Sequence, residues 1–109
     1  MLVSLQIRLS RTIVRDQDFE WNDRKAAANL HEHGVSFEVA RDAFDDTFAV
    51  EIEDRRERYG EERYVLLGMV RDRLLAVTYT LRDDRIRIIS ARPAEAFERR
   101  LYHEKHREA

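Results

Sequence analysis

Apolar residues recur with a helical period in two neighbouring stretches of the first half of the chain. Residues 22–34 form the first stretch, where Asn22 or Asp23 can cap a helix, an alanine-rich run continues it and Gly34 can end it. Ser36 can cap the second helix. The apolar stripe of that helix, at positions i, i+3 and i+7, consists of Phe37, Ala40 and Phe44. The pattern predicts two short consecutive helices.

The period changes to two after these helices, which is the spacing of half-buried strands. Phe48, Val50 and Ile52 alternate with polar residues in the first such strand. The connections between this and the following strands include turns too short for a crossover helix, so the strands run antiparallel. We therefore predict a four-stranded antiparallel meander whose later strands cover about residues 63–70, 73–81 and 85–91.

Shorter elements flank the helices and the meander. Phe19 and Trp21 indicate a short strand before the helices, and Pro93 fits the first turn of a final helix. Residues 1–18 fit a strand or a helix, and both interpretations stay open. We predict an α+β domain over residues 19–109, preceded by an N-terminal extension. The apolar stripe of the final helix is predicted to consist of Ala94, Phe97 and Leu101.

Length and composition narrow the class of protein. A chain of 109 residues suits one domain with one hydrophobic core. It has no cysteine, which excludes a disulfide framework, a thiolate zinc site and a cysteine nucleophile. No apolar run approaches the roughly 20 residues that span a bilayer, and residues 1–18 lack the apolar stretch of a signal peptide. We expect a cytoplasmic protein with no membrane partner.

Charge is nearly balanced over the whole chain but unevenly distributed along it. The formal net charge of −2 gives no strong overall attraction for nucleic acid. Six basic and 13 acidic residues give −7 over residues 19–62, whereas 11 basic and 7 acidic residues give +4 over residues 63–109. Of the 20 basic residues 18 are arginine, whose planar fork binds phosphate at two points. This excess fits either phosphate recognition or codon bias in a GC-rich genome.

The first predicted helix carries a row of polar side chains. Lys25, Asn29 and His33 follow at i, i+4 and i+8, so the row climbs about 12 Å along one side of the helix. Such a row can supply a cation for phosphate, a hydrogen-bonding amide and a titratable acid or base to one cleft. The other interpretation is a solvated helix face whose last histidine interacts with the negative end of the helix dipole.

A second group of candidates lies near the ends of the last two predicted strands. Arg82 ends one strand and Arg92 the next, with Tyr79 and Arg87 close by. Arginines and a tyrosine at a sheet rim can clamp a phosphate and stack a base. Alternatively, the arginines pair with the acidic residues of the 19–62 segment and hold the layers together. The strand face that leads to Arg92 is predicted to consist of Ile86, Ile88 and Ser90.

The four histidines do not have the spacing of a metal site. His103 and His106 are three residues apart near the chain end, whereas a zincin helix needs two histidines four apart. His31 and His33 are two apart and point to different sides of their helix. We predict neither a metal site nor a cofactor.

An ordered series of short motifs closely resembles the BrnT family over about residues 19–104. In the first half these motifs are Phe19–Lys25, Asn29 and His33–Ala40. In the second half they are Arg63–Gly68, Leu74–Thr80, Ile86–Arg92 and Glu98–Tyr102. Two features depart from the resemblance, namely the 18 residues before Phe19 and the acidic Glu32 beside His33, where the family often has lysine.

The resemblance implies a RelE-like fold, ribonuclease activity without a metal ion, and a BrnA-type antitoxin that carries a DNA-binding domain. It also allows a dimer of toxin-antitoxin heterodimers. The expected site is a cleft between the first helix and the sheet rim, with His33 as the acid or base. The cations implied to stabilise the charged phosphorane are Arg82, Arg92 and Lys25. The residues implied to bind and orient the RNA substrate are Asn29, Tyr79 and Arg87. A catalytically weak module that only docks the antitoxin or a regulatory partner is the alternative.

Overall fold

A computed structural model describes residues 7–9, 18–55 and 60–108 of the chain. Of residues 1–18, for which the sequence allowed a strand or a helix, only 7–9 and 18 are described, and residues 7–9 form a strand. The rest of that prediction lies outside the described residues. The first half contains β1 (Ile7–Leu9), β2 (Phe19–Glu20), α1 (Asp23–His33), α2 (Phe37–Asp42) and a 3₁₀ turn (Ala43–Asp45). The second half contains β3 (Val50–Asp54), β4 (Arg63–Val70), β5 (Arg73–Arg82), β6 (Arg85–Pro93) and α3 (Ala96–Glu108). The α+β class is confirmed.

Within the described residues, the strands form one six-stranded sheet in the order β1-β3-β4-β5-β6-β2. Strands β3 to β6 make the predicted antiparallel meander, but β1 adds antiparallel to β3 and β2 adds parallel to β6. The prediction of a four-stranded, wholly antiparallel sheet is therefore wrong. The two added strands have only three and two residues, which is too few to show a period of two in the sequence.

The sheet is covered on both faces, because α1 and α2 pack on one side and α3 on the other. We call these the helix-pair face and the α3 face. Successive side chains of a strand point to opposite faces, so β5 contributes to both cores, for example Val77 to the first and Ala76 to the second. The centre of the helix-pair core includes Val35, Phe37, Leu66, Leu75 and Ile88, and that of the α3 core includes Val50, Leu67, Leu74 and Tyr102.

The ends of the first two helices follow the predicted capping residues. The side chain of Asn22 accepts a hydrogen bond from the backbone N–H of Lys25 at 3.0 Å, and Ser36 accepts one from Val39 at 3.0 Å. Gly34 ends α1 with a φ of 70°, a left-handed conformation that glycine adopts without strain. Phe37, Ala40 and Phe44 are buried as predicted.

The final helix differs from the prediction in its start and in its buried face. Strand β6 continues to Pro93, which pairs with Leu75, so α3 begins only at Ala96. Its side toward the sheet carries the buried Glu98 and Tyr102, whereas Phe97 is 53% exposed. The predicted stripe is therefore wrong at Phe97.

Candidate active site

Four arginines of the last two strands project from the α3 face, and we call this group the arginine face. Three of them lie at or near the β5–β6 turn, whereas Arg92 pairs with Ala76 toward the other end of both strands, so the expected common rim of Arg82 and Arg92 is wrong. Arg82 lies three residues after Tyr79, which packs in the helix-pair core, so alternation turns Arg82 to the α3 face. Arg85 lies directly opposite Arg82 across the β5–β6 turn. Arg87 stands between Ile86 and Ile88, both in the helix-pair core. The arginine face consists of Arg82, Arg85, Arg87 and Arg92.

A β-bulge brings Arg92 onto the same face as Arg87. The ladder between β5 and β6 shifts register at this point, because Thr78 pairs with Ser90 but Tyr79 pairs with Ile88. In a regular strand, residues five apart would point to opposite faces. The extra residue makes Ala91, not Ser90, follow Ile88 into the helix-pair core. The predicted strand face of Ile86, Ile88 and Ser90 is therefore wrong at Ser90.

Carboxylates bind three of these arginines with different strength. Nη2 of Arg82 lies 3.3 Å from Oε1 of Glu61, and Nη1 of Arg87 lies 2.8 Å from Oε2 of Glu20. Both acids belong to the 19–62 segment, as the alternative interpretation expected. The third arginine, Arg92, makes a fork-shaped pair with Glu98, with N–O distances of 2.7 and 3.0 Å.

Exposure separates the first two ion pairs from the third. Glu61 and Glu20 are 30% and 28% exposed, so water screens their pairs, and such pairs contribute only about 0–1 kcal/mol. The side chain of Glu98 is 4% exposed. A phosphate can therefore replace the carboxylates at Arg82 and Arg87, whereas Glu98 stays with its arginine.

Asn29 lies at the centre of the polar row on α1, and its amide is fully engaged. The side chain accepts a hydrogen bond from the backbone N–H of Ala91 at 3.0 Å and donates to the carbonyls of Ala91 and Val35 at 2.7 and 2.9 Å. It thus takes the place of a neighbouring strand at the outer edge of β6. Because both amide hydrogens are used and the residue is buried, Asn29 holds α1 beside β6 and has no donor left for RNA.

The other two members of the row remain accessible. Lys25 is exposed, and His33 is 33% exposed, with Nε2 3.9 Å from Oε2 of Glu32. The Asn29 contacts place α1 along the strand that carries Arg87 and Arg92. The row lies on the side of the sheet that α1 and α2 cover, whereas the arginines project from the α3 face, so the two groups adjoin β6 from opposite sides. A cleft that holds both groups stays a prediction.

Tyr79 is a core residue and cannot stack a base. Its ring is 4% exposed and packs edge-on against Phe44 at 5.1 Å, with Tyr64 at 5.5 Å on another side. Its hydroxyl donates to Glu51. The neighbouring Tyr64 donates to Glu62, and this hydrogen bond, with burial, raises the pKa of Tyr64 to about 12. The predicted role of Tyr79 in substrate binding is not compatible with this position.

The described residues contain no group of three His, Cys, Asp or Glu side chains placed to hold a metal ion. In the C-terminal run, the ring centroid of His106 lies 4.2 Å from that of Phe48, and that of His103 lies 5.4 Å from that of Tyr102. Tyr102 links the same helix to Asp46 through a hydrogen bond of 2.6 Å, and burial raises its pKa above the usual range. These contacts dock α3 on the sheet.

Glu98 and the β-bulge are the features of the site that the sequence analysis missed. Glu98 is the third residue of α3, and its side chain accepts a hydrogen bond from the backbone N–H of Glu95 just before the helix, at 2.8 Å. This is the reciprocal half of a capping box, for which a glutamate three positions into a helix is the sequence signal. The bulge leaves no comparable signal.

Asn29→Ala is expected to lower the free energy of unfolding by about 3 kcal/mol, because it leaves the polar groups of Ala91 and Val35 buried without this partner. Asn22→Ala is the matched control, since it removes an exposed helix cap and should lower the free energy by about 1 kcal/mol. Urea unfolding measures both. Equal losses would show that the Asn29 contacts contribute no more than a surface cap.

Comparison with known protein families identifies the family of the chain. The model of a family described as the ribonuclease toxin BrnT of type II toxin-antitoxin systems matches residues 21–98. The match includes α1, the meander and Glu98. A search of curated proteins finds no match. Among the described residues, no helix is long and apolar enough to cross a membrane.

Proposed function

This chain belongs to the BrnT family of ribonuclease toxins of type II toxin-antitoxin systems, and from that premise we propose that the arginine face binds RNA and supports its cleavage without a metal ion. The observation that carries the proposal is that Arg82, Arg85, Arg87 and Arg92 lie on one sheet face, in a row of about 20 Å along β5 and β6 that an RNA backbone can follow. Guanidinium groups are planar, remain charged and bind phosphate oxygens in pairs.

The proposed reaction uses the 2′-hydroxyl of the RNA as the nucleophile. This oxygen attacks the adjacent phosphorus, the bond to the 5′-oxygen of the next nucleotide breaks, and a cyclic phosphate forms. A base accepts the proton of the 2′-hydroxyl and an acid protonates the leaving oxygen. Arg92 and Arg87 would stabilise the negative charge that grows on the phosphorane, in place of the expected Arg82, which lies about 20 Å from Arg92 along the strands. Lys25 on α1 is the third proposed cation. His33 is the proposed acid or base.

Membership in the family also implies a protein antitoxin. We propose that this partner is of the BrnA type, carries a DNA-binding domain and covers the arginine face. A stable interface of this kind buries on the order of 1,600 Å². A dimer of toxin-antitoxin heterodimers is the assembly that we propose for the complex.

A second candidate function is a catalytically weak module that docks the antitoxin or a regulatory partner. The carboxylates on Arg82, Arg87 and Arg92 favour it, because they lower the positive charge presented to RNA. Glu32, 3.9 Å from His33, acts in the same direction. The two candidates differ in one observable, which is whether the purified chain cuts RNA.

Purified full-length protein is expected to cut total RNA equally well with and without a chelator such as EDTA. The products should carry 2′,3′-cyclic or 3′-phosphate ends, since the substrate's own hydroxyl is the nucleophile. End-specific labelling of the fragments measures this. Products with 3′-hydroxyl ends would refute the mechanism, and intact RNA would favour the docking module.

Expression of the chain alone is expected to stop bacterial growth, and coexpression with its antitoxin should restore growth. The same antitoxin should copurify with the chain. The control is expression of the double variant Arg92→Gln with Glu98→Gln, during which the bacteria should grow normally. Normal growth at high levels of folded wild-type protein would contradict an active toxin.

A further inference from the structure

Glu98 is a buried carboxylate to which the proposed cleavage reaction assigns no role. Its oxygens accept hydrogen bonds from Nη1 and Nη2 of Arg92 at 2.7 and 3.0 Å. Oε1 also accepts one from the backbone N–H of Glu95 at 2.8 Å. Burial of a charge is strongly unfavourable without such partners. The carboxylate is therefore fixed in place from two directions, by the sheet and by the start of α3.

Arg92 is held by this carboxylate but keeps part of its surface open. Its side chain is 34% exposed, against 4% for Glu98, and Nη1 also donates to the carbonyl of Pro93 at 3.3 Å. Two parallel N–H···O bonds define the plane as well as the position of a guanidinium. The orientation of Arg92 is thus set before any RNA arrives.

The carboxylate partners of Arg82 and Arg87 do not fix their arginines in this way. The carboxylates beside Arg82 and Arg87 are each more than a quarter exposed, and each makes a single close contact with its arginine at 3.3 and 2.8 Å. An RNA phosphate can displace partners of this kind. Arg92 is the member of the group whose partner is buried and bidentate.

We propose that Glu98 is a positioning residue of the ribonuclease, which holds Arg92 in the orientation that binds the phosphate at which RNA is cut. The proposal rests on the proposed function of the arginine face. A preorganised donor stabilises transition-state charge without reorienting during the reaction. Carboxylates that orient metal-binding histidines from behind play a comparable part in metal sites.

Glu98→Gln in the full-length protein tests the proposal. Glutamine keeps an oxygen for the N–H groups of Glu95 and Arg92 but loses the charge and the second acceptor. We expect kcat for cleavage of a defined RNA to fall about 10- to 100-fold, the range found when the orienting partner of a metal ligand is lost, with little change in KM. Glu98→Asp keeps the charge, but its shorter side chain cannot hold Arg92 in the same orientation, so it should also lower kcat. This variant replaces Glu98→Gln in the test if the glutamine variant does not fold.

Tyr102→Phe is the matched control. It removes a hydrogen bond to Asp46 that docks the same helix, and it leaves both N–H···O bonds between Arg92 and Glu98 in place. We expect it to lower the unfolding temperature while leaving kcat unchanged. If Tyr102→Phe lowers kcat as much as Glu98→Gln at a similar unfolding temperature, the effect belongs to helix docking and the proposal fails. Wild-type or higher kcat in folded Glu98→Gln overturns it as well.

The double variant Arg92→Gln with Glu98→Gln separates this proposal from the proposed function. If the double variant is inactive but Glu98→Gln is fully active, the arginine face stands and the positioning role falls. If the double variant cuts RNA like the wild type, Arg92 takes no part in cleavage and the proposed function itself fails. If Glu98→Gln loses part of the activity and the double variant loses about 10²- to 10³-fold, the proposed function and the positioning role both stand.

Discussion

The double variant Arg92→Gln with Glu98→Gln is expected to cleave RNA about 10²- to 10³-fold more slowly, which is the effect of removing one preorganised donor from a transition state. Both residues are changed because Arg92→Gln alone would leave Glu98 charged and buried, at a cost of about 3–5 kcal/mol. A neutral pair can replace a buried ion pair with little loss of stability. Single-turnover cleavage and thermal unfolding of the same preparation measure the two effects.

Arg82→Gln provides a graded comparison, because this arginine is half exposed at the end of β5. We expect it mainly to weaken RNA binding and to lower the slope of affinity against salt concentration by about one. Arg71→Gln is its control, since it changes the net charge equally in the turn at the opposite end of β5. If the double variant Arg92→Gln with Glu98→Gln cuts RNA at the wild-type rate, residues other than Arg92 stabilise the negative charge of the transition state.

Much of the fold could be predicted because its main elements carry long patterns. The strands of the meander have five to ten residues, enough to show a period of two. The edge strands β1 and β2 have three and two, and their place depends on distant partners. The start of α3 was misjudged for a related reason, because Pro93 suits both a helix start and a strand end, and its pairing with Leu75 decides the matter.

The candidate site was predicted in its residue types more than in its geometry. Spacing on a helix cannot show which member of a row is buried, so Asn29 was expected to face RNA although it satisfies the edge of β6. Tyr79 was likewise assigned by its chemistry, whereas alternation along β5 places it in the core. Arg92 reaches the arginine face only because one extra residue shifts the ladder. Such a shift is a property of the paired strands and not of either sequence alone.

His33→Ala is expected to lower cleavage about 10²- to 10⁴-fold, the range for loss of a general acid or base. The residue ends α1 immediately before Gly34 and is 33% exposed, so its imidazole can meet both solvent and a bound substrate. Its removal should change stability by about 0.5 kcal/mol, plus a helix-dipole contribution of up to about 1 kcal/mol. The rate should therefore fall without unfolding of the chain.

His31→Ala is the control that separates proton transfer from the helix dipole. His31 lies in the same last turn and is exposed, but residues two apart on a helix point to different sides. His31→Ala should change the free energy of unfolding by the same amount as His33→Ala and leave the rate of RNA cleavage unchanged. The pH dependence of kcat completes the test, because a histidine that transfers the proton contributes one limb of the profile. If His33→Ala keeps the wild-type rate and profile, the histidine serves only the helix end, and proton transfer must be assigned to another group beside the arginine face.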